Sequence, residues 1–168
     1  MRGEPAMIIA DSTPLINFAA IHRLDVLEQL FERIVIPEAV ETELLTKGKR
    51  YPSAEELKRA DFIDVIRIND VALCNSLKID LDHGEAEVIT LALEQNGELL
   101  LLDEVAERTI AEFHNILVTG SIGCLVEAKR TGIIPKIKPF LDAIRLEARF
   151  WVGEELYRRV LSDNGEQF

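Results

Sequence analysis

Asp11, Glu43, Glu85 and Asp103 are the side chains whose type and spacing could do chemistry together. Asp11 follows the apolar run 7–10 and Asp103 follows the run 99–102, so each closes a segment that reads as a buried strand. Glu43 lies three residues after Val40 and directly before Leu44, at the border of an apolar helical face. Glu85 falls in the first turn of a helix opened by Leu81-Asp82-His83-Gly84. In an open parallel sheet, ligands bind beyond the carboxyl ends of the strands. Four carboxylates gathered at that rim would repel, raise one another's pKa values and destabilise the fold. A divalent cation reverses the sign. Mg²⁺ or Mn²⁺ takes hard oxygen ligands, keeps several waters and can activate one of them against a phosphodiester. Zinc would want thiolates and imidazoles. Cys74 and Cys124 instead stand apart in apolar surroundings, as small buried hydrophobes do.

Each acid also has a plainer use. Asp11 can end a strand and assist the following turn, and Asp103 can be the N-cap of a helix starting at Glu104. Glu85 can answer Asp82 in a capping box, and Glu43 can be a solvated helix glutamate. Glu87 competes with Glu85 but is two residues on, about 200° round the helix, so both cannot face one ion. Glu85 is preferred because it lies in the first turn, where the macrodipole favours a carboxylate. His83 is not needed as a general base if water is activated by a metal.

The elements that must position these groups alternate. Runs 7–10, 33–36 (after its leading Arg33), 99–102 and 116–118 are continuously apolar, as expected of strands covered on both faces; segment 62–68 adds an edge strand. Between them, stripes such as Leu15, Ile16, Ala19 and Ala20, or Val88, Ile89, Ala92 and Leu93, have helical spacing. The pattern predicts a three-layer α/β/α sandwich with a central, mainly parallel sheet. Thr13-Pro14 reads as a cap and first helical residue, Pro37 as the start of a helix ending near Gly48, and Ser53 to Glu56 as a capping box. Residues 1–168 read as one domain with its core over 7–161. Its C-terminal helices pack on that core, and the tail 162–168 is frayed.

Composition sets outer bounds. The chain has 168 residues, 48% of them apolar, which is enough for a real core. Its 19 basic and 30 acidic residues give a net charge of −11, which excludes a cationic protein coating nucleic acid by bulk attraction. No run is long and apolar enough for a membrane span, and a cytoplasmic location is expected. Lys47, Lys49 and Arg50 form a basic run after the Glu43 helix, suited to phosphate contact. Phe150, Trp151 and Tyr157 sit in a helical setting that favours core or subunit packing over base stacking.

Taken in order, several segments resemble the PIN (PilT N-terminus) domain family, in the branch related to the toxin nucleases of type II toxin–antitoxin pairs. They are Ile8-Ile9-Ala10-Asp11-Ser12-Thr13-Pro14-Leu15-Ile16, Ile36-Pro37-Glu38-Ala39-Val40 through Glu43-Leu44, and Leu81 through Ile89. Leu100 through Glu104 and Val118-Thr119-Gly120-Ser121-Ile122-Gly123 complete the set. The resemblance implies an RNA-cleaving enzyme using Mg²⁺ or Mn²⁺, with metal ligands at Asp11, Glu43, Glu85 and Asp103. Ser12 and Thr119 would be supporting hydroxyls. It also implies a possible antitoxin partner and a homodimer. Many members carry aspartate where this chain has Glu85. An RNA- or protein-binding module that does not cleave is the alternative. A phosphotransfer domain would want a second aspartate two residues after the first, and position 13 is threonine.

Overall fold

Burial on both faces marks the centre of the sheet. In the computed structural model, which describes residues 6–47 and 54–168, β1 (Ile8–Ala10) is buried throughout and β4 (Leu99–Leu101) nearly so. Five strands lie in the order β3-β2-β1-β4-β5, with β2 at Ile34–Pro37, β3 at Ile63–Ile66 and β5 at Leu117–Thr119. Every pairing is parallel. The chain builds outward from β1 through β2 to β3, then returns to the other side of β1 for β4 and β5. The crevice between β1 and β4 is therefore the switch point at which such sheets take ligands. Register brings its two lips level: Ala10 pairs with Leu101, and the Asp11 N–H donates to the Leu101 carbonyl at 3.0 Å.

Helices cover both faces, giving the three-layer sandwich. One packed group contains α3 (Glu38–Lys47), α5 (Val71–Leu77), α6 (His83–Gln95) and α7 (Val105–Phe113), with α6 against β1 and β2. The other contains α1 (Ser12–Ala20), α2 (Leu24–Phe31), α8 (Ser121–Arg130) and α9 (Lys138–Glu147). α4 (Ala54–Lys58) and α10 (Glu154–Asp163) complete the described helices. Ile9, Phe18, Leu27, Leu91, Leu100, Leu125 and Leu141 are fully buried between the layers, each worth roughly 1.5–3 kcal/mol by removal from water. Cys74 and Cys124 are buried and unpaired. No described helix is long and apolar enough to cross a membrane.

Several local expectations shift. The N-cap of α1 is Asp11, not Thr13, and Pro14 falls in the first turn, where its missing N–H has no intrahelical partner to lose. Pro37 ends β2 instead of opening α3, a one-residue difference in where the strand stops. Segment 62–68 does contain a strand, β3, whose half-exposed pattern reflects its place at the sheet edge. The short α5, capped by Asp70, has only Cys74 buried, too weak a stripe to be read from periodicity. Gly48 and Ser53 lie outside the described residues.

The tail also departs from expectation. Its polar composition suggests fraying, yet the Glu166 side chain is only 6% exposed. Glu166 accepts from the N–H groups of Ile137 (2.7 Å) and Lys138 (2.9 Å), which open α9, and from Lys129 Nζ at 2.8 Å. A single carboxylate thus ties the terminus to α8 and α9. Burial pushes its pKa up, but these donors outweigh burial and leave it lowered. Its contribution is present above the unfolded pKa and lost as pH falls through the lower folded one. Glu166→Ala should cost about 2–3 kcal/mol in urea unfolding at pH 7, with a smaller difference from wild type at pH 3.

Candidate metal centre

Asp11 is 4% exposed and accepts from the Ser12 N–H at 2.7 Å, so the residue that ends β1 also starts α1. Ser12 in turn donates its hydroxyl to Glu43 Oε2 at 2.7 Å, drawing α3 to the same end of the sheet. Lys47, one turn along α3, lies 3.5 Å from that Glu43 oxygen. Gly84 is what allows this approach: a Cβ there would meet Glu43 Oε1 at 2.1 Å. Thus β1, α1, α3 and the start of α6 close on one another through short polar contacts.

Glu85 performs both roles considered for it. Its N–H donates to Asp82 Oδ1 at 2.9 Å and its Oε2 accepts from the Asp82 N–H at 3.1 Å, a complete capping box. It also offers a carboxylate oxygen to a tight group. Oxygens of Asp11, Glu85 and Glu107 all lie within 4.8 Å of one another. Glu87 faces elsewhere. It is buried, accepts from the Ala39 N–H at 3.0 Å at the start of α3, and sits 3.4 Å from His83 Nε2. His83, itself largely exposed, thus pairs with Glu87 one turn along the same helix.

Glu107 was not singled out by sequence reasoning. It is 0% exposed, and no described N–H or hydroxyl donates to either carboxyl oxygen. Burial, then the negative charge of Asp11 and a hydrogen bond that the protonated carboxyl gives it, then the charge of Glu85, push its pKa up to about 11. A signal was present: Glu107 lies three and four residues before Ile110 and Ala111, so helical spacing puts it on the stripe that faces the core.

Asp103 is held apart from that group. It does not cap α7, whose N-cap is Glu104 without a side-chain bond. It instead accepts from the backbone N–H (2.9 Å) and hydroxyl (2.7 Å) of Ser121, which opens α8. Asn17 on α1 donates to the same Ser121 oxygen at 2.9 Å. Close packing fixes the carboxylate: a Cβ on Gly120 would meet Asp103 Oδ1 at 2.5 Å and an Arg108 guanidinium nitrogen at 2.8 Å. Thr119, half-buried, turns its hydroxyl toward Gly123 and lines a groove with Asp103 and Lys47. Lys49 and Arg50 lie outside the described residues.

Asp11, Glu85, Asp103 and Glu107 share one electrostatic direction. Burial raises Asp11, with Glu43 and Asp82 adding to it and the neighbouring Glu107 carboxyl and Ser12 N–H offsetting part. Burial raises Asp103, against the Ser121 donors and Arg108. Burial raises Glu85, and the charges of Asp82, Asp11 and Glu104 add to it despite the Asp82 N–H. The apoprotein therefore holds more acid at this rim than its local donors neutralise.

No curated protein matches the sequence. A family model does, over residues 7–166, and it is described as DUF3368, a PIN domain. That span takes in all five strands and every carboxylate just placed, so the chain belongs to the PIN-domain family.

Proposed function

We propose that this PIN domain is a metal-dependent ribonuclease whose acidic rim holds Mg²⁺ or Mn²⁺. The observation that carries the reading is Glu107, a fully buried carboxyl to which no described N–H or hydroxyl donates, packed against the carboxylates of Asp11 and Glu85. Leaving such a group without a donor costs several kcal/mol, and a cation would offset that cost. The donors are all carboxylate oxygens, the set a hard divalent ion takes. Asp11, Glu85 and Glu107 would hold it. Glu43 and Asp103 would complete the rim directly or through water, with Asp11, Glu43, Glu85 and Asp103 as the catalytic acids.

When bound, such an ion supplies an activated water and neutralises charge on the phosphoryl oxygens. The protein's own part is positional. Ser12 occupies one oxygen of Glu43 and fixes the direction of the other. Ser121, held by Asn17, donates to both oxygens of Asp103 and so fixes the plane of that carboxylate, and Thr119 is a hydroxyl at the adjoining wall. Lys47 beside Glu43 can meet a substrate phosphate at the mouth. Lys49 and Arg50, next in sequence, belong to the same proposed contact.

As in the toxin nucleases that the sequence resembles, a toxin role with an antitoxin partner and a cytoplasmic location extends this proposal. A homodimer is supported by Phe113 and Leu117, which are 81% and 72% exposed near the β5 edge. The deciding assay uses single-stranded RNA. Cleavage should require Mg²⁺ or Mn²⁺, stop with chelator, resume with excess metal and leave a 5′-phosphate and 3′-hydroxyl. Intact binding without cleavage of any RNA tried, with either ion, would favour the non-cleaving module.

A further inference from the structure

A groove of about 980 Å³ runs from Asp103 and Lys47 to the segment joining α9 to α10. Trp151, 86% exposed, is among the residues that line it. Tyr157, in contrast, is buried and donates its hydroxyl to Asp142 at 2.6 Å, and Phe150 is half-buried. Of the three aromatics expected to pack in the core or between subunits, Trp151 stands outside the core of this chain and presents its ring at the surface. The ring lies over Gly153, where an added Cβ would sit 3.3 Å from it.

Two arginines share the groove. Arg149 adopts a left-handed backbone conformation, φ +53°, and has no ion-pair partner among the described residues. Arg108 donates through Nε to the Leu102 carbonyl at 2.9 Å, which fixes its guanidinium beside Asp103. In a chain of net charge −11, Lys47, Arg108 and Arg149 gathered on one concave surface mark it for an anion. The lining also holds the acids Asp103 and Glu104, with Arg108 beside Asp103. An exposed π-face and several cations lining one groove with an acid of the proposed rim is the combination that holds a single strand by stacking and phosphate contact.

We infer that this groove is the binding track for single-stranded RNA, with one base stacked on Trp151 and backbone phosphates on Arg149 and Arg108. The inference rests on the ribonuclease reading for its substrate class but is tested without cleavage. Trp151 is the sole tryptophan, so its fluorescence reports on the groove alone. In chelator, a ten-residue oligouridine should quench the emission saturably, and a duplex of equal length should do so only weakly. By anisotropy of a labelled oligouridine, Trp151→Ala should weaken binding about tenfold and Trp151→Phe less than threefold. Arg149→Ala should lower the salt dependence of binding by close to one phosphate contact. Trp151 is exposed, so these variants should fold, and unchanged melting temperatures check that.

Quenching and the tenfold loss support the track even if no RNA is cleaved, an outcome that would sink the nuclease reading alone. RNA cleavage with unchanged affinity in Trp151→Ala would overturn the track and leave the nuclease reading standing. A blue shift of the emission that follows protein concentration, without response to RNA, would also overturn it, since a second copy would then cover the ring.

Discussion

Asp11→Asn should lower metal-dependent RNA cleavage by about 10³-fold or more while the protein stays folded. The loss follows from position. Asp11 belongs to the carboxylate group with Glu85 and Glu107, and removing one anionic ligand forfeits several kcal/mol of charge stabilisation, each 1.36 kcal/mol being tenfold in rate. The fold should survive because an asparagine oxygen can still accept the Ser12 N–H that starts α1. A second readout separates binding from chemistry. An ion at a hundredfold its dissociation constant stabilises the native state by about 2.7 kcal/mol. For a chain of this length that is roughly 5–10 °C in Tm. Wild type should show that shift with Mn²⁺ and Asp11→Asn should not. Full cleavage by the variant would remove Asp11 from the mechanism.

The metal-free protein should lose stability steadily as pH rises from 5 to 8, and Glu107→Gln should flatten that slope. Folding raises the Glu107 pKa from 4.5 to about 11, so the native state keeps a proton that the unfolded chain releases above about 4.5. Stability falls wherever the native state binds more protons, here across the window from about 4.5 to 11. The slope is at most about 1.4 kcal/mol per pH unit, or about 2–4 kcal/mol between pH 5 and 8 once relaxation around the site is allowed for. Asp11, Glu85 and Asp103 are also raised and act in the same direction near the acid end. Glutamine removes the ionisable group, and its amide can donate toward Asp11. Urea unfolding of both proteins in chelator at several pH values measures the effect. Equal slopes would mean that Glu107 ionises freely and is not confined as described.

Much of the site was legible because strand ends and helix starts are local features. Asp11 and Asp103 follow continuous apolar runs, and the Asp82–Glu85 box is written in four residues. Glu107 was missed for the opposite reason. Its spacing from Ile110 and Ala111 places it on a buried face, but acids are so rarely buried that composition argues against reading it there. The plainer use of Asp103, as a cap for the helix that follows it, is not the one the fold adopts, and its actual donor, Ser121, is eighteen residues away, beyond the reach of local pattern. Trp151 was read as a packing residue because helical stripes flank it, yet it falls in the short connection between α9 and α10.

Sequence alone determined the alternation of strands and helices, the excess of acid and the resemblance to the PIN family, since periodicity, charge and motif order are properties of neighbouring residues. Tertiary structure alone decided that Glu107 stands beside Asp11 and Glu85, that Glu87 is spent on α3, and that Glu166 anchors the terminus. Those outcomes depend on which segments the parallel crossovers bring side by side, and on the low dielectric between them, where an unpaired carboxyl cannot simply be solvated.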